Sequence, residues 1–317
     1  MYKRQSEDLS AFAYKAGWAL TARLPEPLAV RLFDMMADVA SKKGRGPEQL
    51  RKNLSRVVGP EHVTRDLVRR SMRSYLRYWR EAFQLPALAG PELAARLNRG
   101  FDAASLNTLD ASISRGRGVV LALPHSGNWD MAGMWLVQHH GEFTTVAERL
   151  KPESLFQAFV EFRESLGFNV IALTGEQDPP MTQMEKVLRA GGIVCLMGER
   201  DLTGHGAVVN FFGEQTSMPT GAARLAKTTG AKLHVAHVSF EDERRSGAGS
   251  SAGKTVPWRF RVSAPLDTTH SVNDIVQEQA DEFARDIAAH PADWHMLQPL
   301  WFSDLSARRL ERMGVAQ

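Results

Sequence analysis

A single cysteine in 317 residues removes two classes of architecture at once. One thiol closes no disulfide framework and builds no cysteine metal site. Cys195 also lies in the apolar run Gly192-Ile193-Val194-Cys195-Leu196-Met197, where a thiol behaves as a small buried hydrophobe. That usage predicts a reducing compartment. The sequence also has no unbroken apolar stretch of the roughly 20 residues that a membrane-crossing helix needs, because Arg, Lys, Glu or Asp interrupts every apolar run. Met1-Tyr2-Lys3-Arg4 is soon followed by Glu7 and Asp8, with no apolar h-region and no small-residue cleavage site, which predicts a chain neither exported nor cleaved. His139-His140 and the pair His290 and His295 show no metal-ligand spacing, so no metal is expected. Residues 247–255, GAGSSAGKT, end like a phosphate loop. However, Ala248 stands where that motif requires glycine, and no strand-then-helix context surrounds it.

With 43% hydrophobic and 24% charged residues, the chain has globular composition, which excludes disordered and fibrous classes. Its charge is uneven. Residues 1–100 hold 19 Lys and Arg against 10 Asp and Glu, a balance of +9, whereas residues 101–317 hold 20 against 26, a balance of −6. The first third therefore calls for an anionic partner. No zinc finger or DNA-reading helix-turn-helix is present, which argues against nucleic acid. An acidic phospholipid surface is the expected partner.

Two regions follow from the periodicity, a helical layer over 1–100 and a catalytic core over 101–317. In the first, apolar residues recur at helical spacing: Leu9, Phe12, Ala16, Leu20 and Leu24, then Leu28, Leu32, Met35 and Val39 beyond Pro25 and Pro27. Tyr14, Lys15 and Trp18 make the first of these helices amphipathic. A third helix, ending before Pro86, places Val68, Met72, Tyr75, Trp79 and Phe83 on one stripe and Arg69, Arg73, Arg77 and Arg80 beside it. That arginine stripe reads either as a solvated face or, with Trp79 and Phe83, as a membrane-surface face. From 118 onward, short apolar runs at 118–123, 143–147, 168–173, 192–197 and 232–240 alternate with helical patterns that start near Asn128, Pro152, Pro180 and Pro219. This alternation predicts an α/β fold with a mixed, mostly parallel central sheet flanked by helices. Residues 244–253 read as a hairpin tip, and 271–289 as the last helix.

The segment Leu121-Ala122-Leu123-Pro124-His125-Ser126-Gly127-Asn128-Trp129-Asp130 carries chemistry. An apolar strand runs directly into a histidine and then a helix start, at the strand end where ligands bind in open α/β sheets. A neutral imidazole there can take a proton from a hydroxyl. A helix-capping role for His125 is the alternative. Asp130, five positions on, is one carboxylate that could orient the ring. Ser126 lacks the G-x-S-x-G elbow of a nucleophilic serine, so direct transfer without a covalent enzyme intermediate is expected.

The spacing His-x4-Asp resembles the first signature of glycerolipid-type and lipid A-type acyltransferases. Further blocks follow in the order of that superfamily: Glu148-Arg149 after the second apolar run, then Arg163 in Phe162-Arg163-Glu164-Ser165-Leu166-Gly167. Gly198-Glu199-Arg200-Asp201 comes after the fourth run, and Val209-Asn210-Phe211-Phe212-Gly213 leads into Met218-Pro219-Thr220-Gly221 through Arg224. The resemblance spans roughly 45–302. Within the superfamily the chain is most similar to the branch that acylates phosphatidylinositol mannosides, including its tail Trp294-His295-Met296-Leu297-Gln298-Pro299.

The resemblance implies an O-acyltransferase with His125 as general base and Asp130 and Glu199 as carboxylates, either of which could orient the ring. Glu199 could equally pair with Arg200 or Arg163. Arg163 and Arg200 are expected either on phosphates of coenzyme A or of the acceptor, or in plain pairs with Glu148 or Glu164. His205, in Gly204-His205-Gly206, is a candidate donor contact, and Glu148 is a further candidate at the substrates. The implied donor is a long-chain (palmitoyl) acyl-coenzyme A, a co-substrate with no further cofactor, and the implied acceptor is a mannose hydroxyl of a lipid-linked mannoside. The expected location is the cytoplasmic face of the plasma membrane, peripherally bound. Two alternatives stay open: acylation of another glycolipid or lysolipid from coenzyme A or acyl-carrier protein, and a non-catalytic fatty-acid-binding protein.

Overall fold

The computed structural model describes residues 17–18, 20–149, 151–175, 177–241 and 257–315. Most of the first expected helix and the expected hairpin tip with its GAGSSAGKT sequence lie outside them.

Among the described residues the first three named helices are α1 (Glu26–Ala40), α2 (Glu48–Val58) and α3 (Arg65–Leu88). Thr64 caps α3 by accepting from the Leu67 N–H at 3.1 Å, which satisfies one of the free donors of the first turn. The helix does not stop before Pro86. It continues to Leu88 with that proline in its last turns. Together the three helices enclose a small core of Ala37, Leu50, Leu54, Leu67, Val68 and Met72.

Helix α1 is apolar over more than half of its circumference. Ala29, Phe33 and Ala37 turn inward, whereas Leu28, Leu32, Met35, Met36 and Val39 form a second, adjoining stripe that is open, with Val39 78% exposed. The arginines of α3 do not form an open basic face. Arg69 and Arg73 both bind the Asp38 carboxylate of α1, at 2.7 and 2.8 Å. Arg77 pairs with Glu81 at 2.7 Å, and Arg80 is buried beside it. The two guanidiniums on Asp38 hold its carboxyl down at about 2.

After α4 (Pro91–Asn98) and α5 (Ala103–Ile113) comes a six-stranded sheet in the order β3-β2-β4-β1-β7-β8. Its strands are β1 (Val119–Leu123), β2 (Phe143–Ala147), β3 (Phe168–Ala172), β4 (Ile193–Met197), β7 (Lys232–Phe240) and β8 (Trp258–Val262). The first five in spatial order are parallel, and β8 pairs antiparallel with β7. The crossover helices are α6 (Trp129–His140), α7 (Glu153–Ser165), α8 (Pro180–Arg189) and α9 (Gly221–Thr229). A separate hairpin, β5 (Ala207–Phe211) with β6 (Glu214–Met218), was not legible as strands in the sequence. Helices α10 (Val272–Ala289) and α11 (Ala307–Arg312) follow.

Every residue of β1 is buried. Val120 and Ala122 face one core with Leu225, Ile275 and Phe283, and Val119, Leu121 and Leu123 face the other with Met131, Trp135 and Phe168. That double burial is why the strand reads as a continuous apolar run without alternation. The fold is α/β with a mostly parallel central sheet flanked by helices. No helix among the described residues is long and apolar enough to cross a membrane.

Candidate active site

The parallel pairing of β1 with β4 assembles the centre of the site. Leu123 stands opposite Met197, so the residues two positions beyond each strand, His125 and Glu199, emerge side by side although 74 positions separate them. Glu199 is fully buried, and its Oε1 accepts two hydrogen bonds from His125, from the main-chain N–H at 2.6 Å and from ring Nδ1 at 2.7 Å. An ionised carboxylate only accepts, so the ring proton resides on Nδ1 and Nε2 is the basic nitrogen.

Asp130 has other partners. Its Oδ2 accepts from Tyr78 OH at 2.9 Å and its Oδ1 from Arg163 Nε at 3.0 Å, within a site where Asp130 is 1% exposed. The expectation that this carboxylate could fold back to the ring is thereby corrected, because helix α6 aims it at α3 and α7 instead. Arg163 is committed to that pair. Burial alone would depress its guanidinium pKa, but Asp130 and Tyr78 together hold it above the ordinary value. Its Nε is taken by Asp130, where a pair with Glu148 or Glu164 was the expected structural alternative.

The turn between β1 and α6 fixes the loop. Gly127 has φ +58°, and a Cβ there would lie 2.5 Å from the Val238 carbonyl oxygen, so the position requires glycine. Asn128 caps α6, accepting from Met131 N–H at 3.0 Å and donating to Glu81 of α3 at 2.9 Å. Trp129 stacks on Tyr78 with ring centres 4.0 Å apart and meets the His125 ring edge-on at 5.4 Å. Ser126 is buried and its hydroxyl is taken up by His237 and the Asp293 carbonyl.

His125 opens onto a cavity of about 700 Å³ whose walls also include Glu148, Arg163, Arg200 and His205. All four side chains expected at the substrates thus border one space with His125. Arg200 is half-buried there, with no carboxylate in contact among the described residues. Burial lowers its pKa and nearby Arg309 adds to that, with Glu148 and Glu199 opposing. His205 sits on a loop whose shape is set by Asp201, which accepts from Thr203, Gly204, Gly206 and Ser217. Behind Trp129, Val146, Leu196 and Met197, which border both spaces, lies a second cavity of about 90 Å³ walled by Leu121, Phe143, Trp135, Phe168, Cys195 and Phe260. Burial pushes the Cys195 thiol pKa up, so it stays a neutral wall atom.

Several residues at the site were not anticipated from the sequence. Ser74, Tyr78 and Glu81 are spaced i, i+4 and i+7 on α3, one polar stripe that reaches Asp293, Asp130 and Asn128 in turn. The apolar stripe through Tyr75, Trp79 and Phe83 lies beside it and is only half-buried. A polar triple at helical spacing inside an otherwise apolar arc was the available signal.

Residues 3–303 match the family of bacterial lipid A biosynthesis acyltransferases. The chain belongs to that family and is an acyltransferase. Its relatives include a phosphatidylinositol mannoside acyltransferase of Mycolicibacterium smegmatis, 52% identical over 305 residues, which is 95% of this chain and 94% of the relative. Proteins of the same name from two strains of Mycobacterium tuberculosis are each 53% identical over 301 residues, 94% of this chain and 90% of each relative.

Proposed function

We propose that this acyltransferase moves a long-chain acyl group, palmitoyl in the first instance, from acyl-coenzyme A to a mannose hydroxyl of a phosphatidylinositol mannoside. The observation that carries the reading is the pair of fully buried Glu199 with half-buried His125 beside a cavity that adjoins an apolar slot. The names of the relatives support the choice of acceptor.

His125 Nε2 takes the proton of the acceptor hydroxyl as its oxygen attacks the thioester carbon. Glu199 stabilises the imidazolium that forms. Collapse of the tetrahedral adduct breaks the C–S bond, and the thiolate leaves with the proton from the imidazolium. No covalent enzyme intermediate is needed, and Ser126, hydrogen-bonded away from the cavity, supports that reading. The apolar slot holds the acyl chain, since a fatty chain needs an apolar, concave seat. Arg200, lacking a carboxylate contact, is suited to a substrate phosphate. The open stripe of α1, flanked at its C-terminal end by exposed Lys42, Lys43 and Arg45, sits on an anionic membrane surface at the cytoplasmic face.

The test is thioester turnover with palmitoyl-coenzyme A and a phosphatidylinositol mannoside in acidic-lipid vesicles, wild type beside His125→Ala. Product from the wild type alone is expected. Equal activity in both would overturn the role of His125. Wild-type binding of the thioester without turnover would favour a fatty-acid-binding protein or another acceptor.

A further inference from the structure

The far end of the chain returns to the base. Residues 293–295 run antiparallel beside 125–127: Gly127 N–H donates to the Asp293 carbonyl at 2.9 Å, and His295 N–H donates to the His125 carbonyl at 2.7 Å. The Ser126 hydroxyl donates to the same Asp293 carbonyl at 3.1 Å. His125 is thus gripped on both sides of its peptide unit, with Glu199 holding its N–H and ring and the 293–295 segment holding its C=O.

What fixes that segment is a buried relay. The Asp293 carboxylate accepts from the Ser74 hydroxyl of α3 at 2.8 Å and from Phe240 N–H, at the end of β7, at 2.9 Å. Ser74 Oγ also lies 3.0 Å from His295 Nε2. A serine has one proton. Once that proton is given to the carboxylate, Oγ can only accept, so His295 carries its hydrogen on Nε2. The remaining ring nitrogen, Nδ1, is buried without a partner among the described residues. As a bare acceptor it is a lesser cost than a stranded N–H would be, which agrees with that tautomer. Burial, and then the neighbouring His125, push the His295 pKa down to about 3, so the ring stays neutral.

We propose that Asp293 and Ser74 are positioning residues for the reaction, setting through His295 the place of the His125 main chain and hence the direction of its Nε2. The proposal rests on His125 being the base. It differs from a general contribution to packing, and the molecule contains its own control. Ser112 lies 3.0 Å from His234 Nε2, an equally buried serine–histidine pair, with His234 at the opposite, N-terminal part of β7.

The experiment compares Ser74→Ala and Ser112→Ala in the full-length protein. Both should lose similar thermal stability. Per folded molecule, Ser74→Ala should lower kcat about tenfold with KM within about twofold, as expected of a misplaced catalytic group, while Ser112→Ala stays within about twofold of wild type. Asp293→Asn gives a second break in the same relay and should follow Ser74→Ala. The imidazole nitrogen resonances of His125, read without substrate, should move in Ser74→Ala and Asp293→Asn and not in Ser112→Ala. Equal losses of kcat in the two serine variants, or wild-type kcat and resonances in Ser74→Ala, would overturn the proposal. A wild type that turns over no thioester would refute acyl transfer instead, and the resonances would still decide the positioning.

Discussion

Replacing Glu199 with glutamine separates the two carboxylates of the site. Glutamine preserves size and one acceptor oxygen, so the two bonds now made by Oε1 to His125 can in principle persist. What is lost is the charge that faces the developing imidazolium, and an amide NH2 is placed where Oε2 now lies buried without a partner. A hydrogen bond to a charged group is worth about twice a neutral one, so the change should remove about 2 to 3 kcal/mol of transition-state stabilisation. At about 1.36 kcal/mol per tenfold, kcat should fall by about 30- to 160-fold. KM should move by less than about threefold, because Glu199 is fully buried and touches no substrate. Asp130→Asn should behave differently. It leaves the half-buried Arg163 without its anion, a change that costs up to about 3 to 5 kcal/mol in stability, so the midpoint of unfolding should drop while kcat per folded molecule is better preserved. Steady-state thioester turnover, paired with urea unfolding of each variant, measures both quantities. If Glu199→Gln keeps more than about a third of wild-type kcat while Asp130→Asn loses about 100-fold, Asp130 is the orienting carboxylate and the reasoning fails.

Two further outcomes are expected. His237 and His295 titrate at about 3 in the folded chain, against about 6.5 when exposed. The unfolded chain therefore binds more protons below pH 6.5, so their contribution is intact above that value and is lost as pH falls towards 3. Each ring is already half protonated at pH 6.5 in the unfolded chain, so the pair should remove about 3 kcal/mol between pH 6.5 and 5, and a urea midpoint that is flat over that range would refute it. Leu32→Glu, Met35→Glu and Val39→Glu combined alter only side chains that are 41%, 67% and 78% exposed, so the fold should hold. Partition onto acidic vesicles in a sedimentation assay should drop at least about 100-fold, given about 1 to 2 kcal/mol for each apolar side chain buried. Unchanged partition would remove α1 from the membrane surface.

Strand ends and helix starts were legible wherever burial wrote itself as pattern. The apolar run into His125 and the proline-marked starts of α7 and α8 are one-dimensional signals. The partner of the base was harder to read. Asp130 looks right by proximity, five residues away on the next helix turn, yet α6 carries it towards Tyr78 and Arg163. Glu199 comes to His125 only because β4 lies beside β1 in register, a long-range pairing that no local spacing encodes. The arginines of α3 misled for a related reason. A charge stripe reads the same whether solvent or Asp38 faces it, and only the packing of α1 on α3 distinguishes the two. Helix α1 also hid a doubled apolar arc, because helical spacing alone does not tell which half turns inward.

A single oxygen of Glu199 accepts both from the main chain and from the ring of the same histidine. The side chain is thereby closed into a small loop of hydrogen bonds and cannot swing without breaking both. In the proposed reaction that ring is a fixed anvil. Any hydroxyl it serves would have to be carried to it, and the thioester would have to be presented to that same point in space. Selection among acceptors is then a question of reach, of whether a given headgroup can stand far enough out of its own surroundings to touch a nitrogen that will not come to meet it.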